Sequence, residues 1–289
     1  MAKSPLISVL LPVRDGAATL LPALRSIINQ TVDNFELLVI DDGSRDSSVE
    51  LARGMGDSRI RVLGDAQSRG LAARLNQGVE VARGKYIARM DADDLAFPER
   101  FARQLDFLEA NADIDLVGCR AVVFHERSGI VGLYPFAPAH QAICARPWHG
   151  FHLAHPTWMG RASWFRQHPY RIPEVRRAED QELLLRSYLD SRYACLPSVL
   201  LAYRLRPYSL RRVLAARRSF CAAQCIYFSR RSQWFDVGRV LVTTSGKLAF
   251  DILAALPRAE WIFNYRMSEP VPLAVLTELT ALQRIVGSL

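Results

Sequence analysis

The chain has 289 residues, 50% of them hydrophobic and 23% charged, which excludes a disordered or low-complexity chain and leaves ample material for a buried core. Lys and Arg outnumber Asp and Glu by 37 to 29, and the net charge of +8 calls for an anionic partner: a phosphate-bearing ligand, an anionic membrane surface or nucleic acid. The five cysteines, Cys119, Cys144, Cys195, Cys221 and Cys225, contain no CxxC pair, which argues against a zinc ribbon or dithiol motif and makes reduced thiols in the cytoplasm the expectation.

Residues 7–11 form a short apolar run ending at Pro12 and read as a buried strand. Residues 20–30 carry apolar side chains at helical spacing, with Pro22 placed in a first turn. Residues 36–40 are a second strand, closed by Asp41-Asp42-Gly43-Ser44, and Asp46 or Ser47 could cap a helix running to about Met55. The pattern repeats: strand at 59–63, helix at 71–82, strand at 85–90, and a helix at 99–109 opened by Pro98. Strands alternating with helices imply βαβ units and a mainly parallel sheet, whose ligands bind at the carboxyl ends of the strands. The acidic clusters fall at those ends: Asp15, then Asp41-Asp42, then Asp91-Ala92-Asp93-Asp94.

Beyond about Gly118 the pattern loosens. Residues 119–175 are rich in aromatics, His and Pro and are expected to line a cleft, and residues 179–189 read as a helix. From Arg204 to Phe235 there is no acidic residue, while arginines accumulate. Leu210, Val213, Leu214, Phe220, Cys221, Cys225 and Phe228 share one helical arc, with Arg211, Arg212 and Arg218 off it and Arg217 on it. Such a basic amphipathic helix reads either as binding an anionic membrane surface or as packed on the rest of the chain with a solvated Arg face. Residues 240–256 are interrupted by Lys247 and Asp251, short of the ~20 apolar residues of a spanning helix, so no transmembrane segment is expected and peripheral attachment stays open.

Two carboxylates at i and i+2 on a turn after a strand can converge on one hard cation, which suits Asp91 and Asp93, with Asp94 adding to the negative field. The competing reading is that Asp93 or Asp94 caps the following helix.

Three segments together carry a resemblance: Ile7-Ser8-Val9-Leu10-Leu11-Pro12-Val13-Arg14, Phe35-Glu36-Leu37-Leu38-Val39-Ile40-Asp41-Asp42-Gly43-Ser44, and Gly84-Lys85-Tyr86-Ile87-Ala88-Arg89-Met90-Asp91-Ala92-Asp93-Asp94. With Leu75-Asn76-Gln77-Gly78, Pro98-Glu99-Arg100-Phe101, His155-Pro156-Thr157 and Glu179-Asp180-Gln181-Glu182-Leu183, they resemble the family 2 glycosyltransferases, in family order over residues 5 to 205. The resemblance implies an α/β fold of GT-A type: a Rossmann-like, mixed and mainly parallel sheet flanked by helices. It divides the chain into a catalytic domain at 1–205, with a nucleotide-sugar-binding half (1–118) and an acceptor-binding half (119–205), and a basic helical extension at 206–289.

The resemblance also implies roles. Pro12, Val13 and Asp42 would hold the nucleotide base, and Asp91, Ala92 and Asp93 the ribose and a Mn²⁺ or Mg²⁺ on the diphosphate. Asp180, beside Glu179, would be the general base that activates an acceptor hydroxyl in an inverting transfer. Without the family pattern, Asp42 reads as a turn residue and Glu179-Asp180 as dipole-favoured residues of a helix start. Arg74 falls where the family has a basic residue reaching the donor, but it precedes Leu75-Asn76 and reads equally as a solvated helix Arg. Asp15 replaces a frequent Asn of the donor site. His155, Thr157 and Trp158 would line the acceptor site. No Gln-x-x-Arg-Trp motif follows, so one sugar per encounter is expected.

The implied partners are a nucleotide-sugar donor, first of all a UDP-sugar, and a glycan or lipid-linked acceptor. A catalytically silent sugar-nucleotide binding module is the alternative, against which the Glu179-Asp180 pair speaks. Nucleic acid is discounted, because helix-turn-helix, zinc and RNP motifs are missing.

Overall fold

The computed structural model describes residues 4–126, 129–172, 175, 177–256 and 269–287. Strand β1 (Ile7–Val13) is followed by α1 (Ala17–Ile28), β2 (Phe35–Asp41), α2 (Ser48–Gly54), β3 (Ile60–Leu63), α3 (Leu71–Val81) and β4 (Tyr86–Arg89). Then come β5 (Leu95–Ala96), α4 (Arg100–Ala110), β6 (Leu116–His125), β7 (Gly129–Leu133), α5 (His140–Ile143) and a 3-10 turn at His155–Thr157. The chain continues through β8 (Met159–Arg161), α6 (Ala162–Gln167), α7 (Glu179–Ser187), β9 (Tyr193–Arg204), α8 (Leu210–Ser229), α9 (Trp234–Ala254) and a last helix, α10 (Leu273–Val286).

One sheet runs in the order β3-β2-β1-β4-β8-β6-β9-β5, with β7 on β6. β3, β2, β1 and β4 are parallel, as are β6 and β9; β8, β5 and β7 pair antiparallel with their neighbours. The α/β architecture with a helical C-terminal part is the one the resemblance implied. β1 and β2 are apolar without alternation because helices cover both faces. Leu10, Leu38 and Ile40 turn to α3 through Leu75 and Val79, while Val9, Leu11, Leu37 and Val39 turn to α1 through Leu20, Leu24 and Ile27. Gly78 permits the first packing, since a Cβ there would come within 2.5 Å of Ile40.

Two local expectations shift. α1 begins at Ala17, so Pro22 lies in the second turn instead of the first. The earlier start follows from tertiary capping: Gly16 N–H donates to Ser48 Oγ at 2.9 Å and Ala17 N–H to Asp46 Oδ2 at 2.9 Å. Asp46 thus serves two helix starts, its own neighbourhood through Ser48 N–H and α1 across the chain. Asp93 and Asp94 cap nothing, because β5 intervenes and α4 opens only at Arg100.

The C-terminal region lies in two places. α8 and α9 pair as a hairpin, with Arg217 on Asp251 at 2.8 Å and Tyr208 Oη donating to the Asp251 carbonyl at 2.6 Å. α10 returns to the sheet, where Leu279, Leu282 and Val286 pack on Leu95, Val122, Phe124 and Ala202. Arg25 of α1 donates to the Val286 carbonyl at 3.0 Å, closing that helix end.

At the start of β2, the opposite end of the strand from the acidic residues that follow it, Glu36 is a buried tie. It accepts from Ser8 Oγ (2.7 Å), the Arg83 amide (2.8 Å) and side chain (2.8 Å), and Arg61 (2.8 Å). Burial by itself would raise its pKa; the bonds from Arg83, Ser8 and Arg61 outweigh that and hold it at about 2. Its folded pKa is depressed, so the stabilisation is present above the ordinary carboxylate value and is lost as pH falls toward 2. Glu36→Gln is expected to cost about 2 kcal/mol at neutral pH and to flatten the acid limb of stability below pH 4.5, as measured by urea unfolding across pH.

Candidate active site

The carboxyl ends of β1, β2 and β4 lie side by side, with Val13 opposite Asp41 and Leu10 opposite Arg89. There they form one wall of a cleft of about 650 Å³. Pro12, Val13, Asp42, Arg74, Asp91 and Asp93 line it from this half; His155, Glu179, Asp180, Arg204 and Arg206 line it from the other.

Asp42 is held by four donors: the amides of Arg69 (2.6 Å) and Gly70 (3.0 Å), Ser68 Oγ (3.1 Å) and Arg74 Nε (3.1 Å). Burial opposes ionisation, but these bonds outweigh it and lower its pKa. Arg74 is not the solvated helix arginine that its place in the sequence allowed. Its side chain is 1% exposed and also bonds Asp65 at 2.6 Å, Gln77 at 2.8 Å and the Gln67 carbonyl. The reason is local: Gly70, with φ +88, turns the chain into α3 at Leu71, and the first turn of the helix carries Arg74 beneath the 65–70 loop.

The acidic triplet divides three ways. Asp91 accepts from Arg89 Nη2 at 2.5 Å, and Asp93 from Arg206 Nε at 2.6 Å. Asp94 points into the protein, fully buried, and accepts the Arg204 amide at 2.8 Å. Burial, then Asp91 and Asp93, raises its pKa well above the carboxylate range. Asp94 therefore does not add to the negative field, as the sequence suggested; it ties the turn to β9. Ala92 accepts from Thr19 Oγ1 at 3.1 Å. With Asp15, Ala92 faces an adjoining cleft of about 750 Å³ that shares Pro12, Val13, Asp91, Asp93 and Arg206 with the first. Asp15 has φ +50 and accepts the Arg45 amide at 2.8 Å, so it shapes the β1–α1 turn.

Glu179 and Asp180 open α7 and face each other's charge inside the cleft. Burial, then Asp180, lifts Glu179 to about 7; burial likewise raises Asp180, against bonds from Gln181. His155 is buried, its Nε2 2.7 Å from Tyr170 Oη and its ring 4.5 Å from Trp158. Burial, then the charge of Arg89, lowers its pKa well below the usual histidine value, so it is neutral. Thr157 and Trp158 do not line the cleft. Both are fully buried, Thr157 Oγ1 donating to the Ala154 carbonyl at 2.6 Å and Trp158 Nε1 to the Leu153 carbonyl at 3.1 Å. They build the 3-10 turn that presents His155.

Arg89 and Arg206 belong to the site although neither motif nor spacing gives them a role there. Arg89 is a charge at the end of an apolar strand, which is itself a signal. Its Nε and Nη1 are buried without a partner among the described residues. Arg206 lies one residue beyond the boundary drawn at 205, so only contact reveals it.

A mixed sheet, a cleft at its parallel strand ends and carboxylates on both walls are the layout that the resemblance implied. Residues 8–168 match the model of Glycosyl transferase family 2, and the chain belongs to that family. It is 35% identical over 195 residues to a Bacillus subtilis protein named as a glycosyltransferase, EpsE, covering 65% of this chain and 68% of that one. It is 31% identical to an uncharacterized glycosyltransferase of Haemophilus influenzae, covering 71% and 67%. The fold is shared with Staphylococcus aureus TarS 1-349 in complex with UDP-GlcNAc (TM-score 0.63, 15% identity, 97% of this chain and 81% of that one). It is also shared with the mannosyltransferase PcManGT of Pyrobaculum calidifontis in complex with GDP-Man and Mn²⁺ (TM-score 0.60, 17% identity, 99% and 87%).

Removing Arg74 leaves Asp42 and Asp65 without their shared cation. Arg74→Ala is expected to cost on the order of 3 kcal/mol in urea unfolding. An unchanged midpoint would mean that the loop amides alone hold Asp42.

Proposed function

We propose that the enzyme transfers a single hexose-type sugar from a nucleotide-sugar donor, first of all a UDP-sugar, to an acceptor hydroxyl with inversion at the anomeric carbon. The observation that carries this is the convergence of Asp42, the Asp91–Asp93 pair and Asp180 on one cleft. Asp42, oriented by Arg74, accepts an N–H of the base beside Pro12 and Val13. Asp91 takes the ribose. Asp180 removes the acceptor proton as the hydroxyl oxygen bonds the anomeric carbon and the nucleoside diphosphate leaves from the opposite side. Glu179 and Asp180 titrate as a pair, and a neutral His155 beside them adds no competing charge.

The donor set suits Mn²⁺ or Mg²⁺. No group of three or more His, Cys, Asp or Glu placed to hold a metal occurs among the described residues, whereas these cations need only one or two carboxylates and complete their shell with diphosphate oxygens and water. Asp93 and Asp91 would hold the ion, which would offset charge on the leaving diphosphate. Asp93 is the oxygen donor that Arg206 occupies, so cation and guanidinium compete for it. The acceptor we infer is a glycan or a lipid-linked glycan of bacterial surface polysaccharide or lipopolysaccharide assembly. The setting is the cytoplasmic side of the membrane; no helix of the described residues is long and apolar enough to cross one.

Asp180→Asn is expected to lower kcat at least about a hundredfold while the donor Kd stays within about threefold, since only the proton acceptor is removed. Retained turnover would remove Asp180 from the role. A thermal-shift panel of UDP-, GDP-, CDP- and dTDP-sugars, each with Mn²⁺ and with EDTA, is expected to show stabilisation by one donor in Mn²⁺ only. No metal-dependent shift with any donor would sink the proposal.

A further inference from the structure

α9 carries an outward face unlike that of an ordinary solvated helix. Trp234, Phe235, Leu241, Val242, Ile252 and Leu253 are 67, 73, 52, 74, 53 and 51% exposed. At 3.6 residues per turn they fall within an arc of about 120°, the width of a stripe that normally faces a core. Every charged residue of the helix, Asp236, Arg239, Lys247 and Asp251, falls outside that arc. The helix buries its other side through Val240 and Ala254.

The sequence left α8 open between binding an anionic membrane surface and packing on the rest of the chain with a solvated Arg face. The structure has the second arrangement: α8 packs between α7 and α9, so Phe228 is buried and Phe220, Cys221 and Cys225 pack against the core, while Arg211, Arg212, Arg218 and Arg230 stay exposed. The two properties of one amphipathic helix are divided between two, with charge on α8 and apolar surface on α9. Residues 206–256 hold nine Lys or Arg against two Asp, nearly the whole net charge of the chain, and both Asp are paired, Asp236 with Arg239 and Asp251 with Arg217.

We propose that the outward face of α9 lies in the surface of an anionic lipid bilayer, with the α8 arginines on headgroup phosphates. Charge selects this occupant. A second copy of the chain would bring the same excess of arginines against the first, whereas an anionic leaflet complements it. The helix is about 30 Å long, lies along the surface with its apolar arc embedded, and begins with Trp234 and Phe235, aromatic side chains favoured at the headgroup level. The hairpin is fixed to the donor cleft by residues 205–209, with Arg206 on Asp93 and Tyr208 on the Asp251 carbonyl. Docking would therefore hold the cleft at the membrane, where a lipid-borne acceptor is found. Only this last consequence rests on the transferase reading.

The test is flotation of the full chain with phosphatidylcholine vesicles, with and without roughly one third phosphatidylglycerol. Binding is expected to the anionic vesicles only and to weaken with salt. Val242→Glu and Trp234→Glu, both at exposed positions, are expected to weaken partitioning about tenfold or more at unchanged melting temperature. Arg211→Ala and Arg212→Ala are expected to weaken it about fivefold each. No binding to anionic vesicles by the wild-type chain, or equal binding by Val242→Glu, overturns the proposal. So does a concentration-dependent dimer in vesicle-free buffer that Val242→Glu dissolves, because the face would then be a contact between copies. Donor binding, read separately by thermal shift, keeps failure of the transferase reading distinct from failure of this one.

Discussion

Parallel backbone pairing of β1 with β2 on one side and β4 on the other is the constraint on which the site depends. It brings the residues after three different strands to one edge, within reach of one small ligand, although Asp42 and Asp91 are 49 positions apart in the chain. The pairing is held because both faces of β1 and β2 are buried, so a register slip by one residue would exchange the α1-facing and α3-facing side chains. Glu36, buried at the other end of β2, ties Ser8 and Arg83 and fixes the start of the same register.

Around that edge, carboxylates are matched by guanidinium groups one to one. Arg74 lies on Asp42, Arg89 on Asp91 and Arg206 on Asp93. Carboxylates this close repel, and each matched arginine offsets part of that cost. Among the described residues Asp94 and the Glu179–Asp180 pair lack such a match, and their pKa values rise. The same separation of charges recurs in the C-terminal hairpin, where Arg217 is spent on the buried Asp251 while the remaining α8 arginines face outward.

Much of this was legible from local pattern. Apolar runs of four or five residues bounded by Pro12 or Asp41-Asp42 are strands in the structure, and the helical spacing at 71–82 and 99–109 gives α3 and α4. Burial was less legible. Arg74, a long charged side chain on a helix, looked solvated because nothing local announces Asp42 and Asp65 above it. Thr157 and Trp158 looked like cleft residues because they lie in or next to the His155-Pro156-Thr157 motif, yet of that turn His155 and Pro156 reach the cleft while Thr157 and Trp158 are buried.

The sequence by itself determined the order of the elements from β1 to β4, the family and the identity of the acidic residues at the strand ends, because period, turn chemistry and motif order are properties of neighbours in the chain. Only the tertiary structure decided which charges are paired and which surface is left uncovered. Arg206 meets Asp93 across 113 positions, and the uncovered apolar surface lies on α9 while the stripe that hydrophobic spacing marks on α8 packs on the protein. Both outcomes depend on which helix another element happens to cover, and helical periodicity marks an apolar stripe without saying whether protein or lipid will meet it.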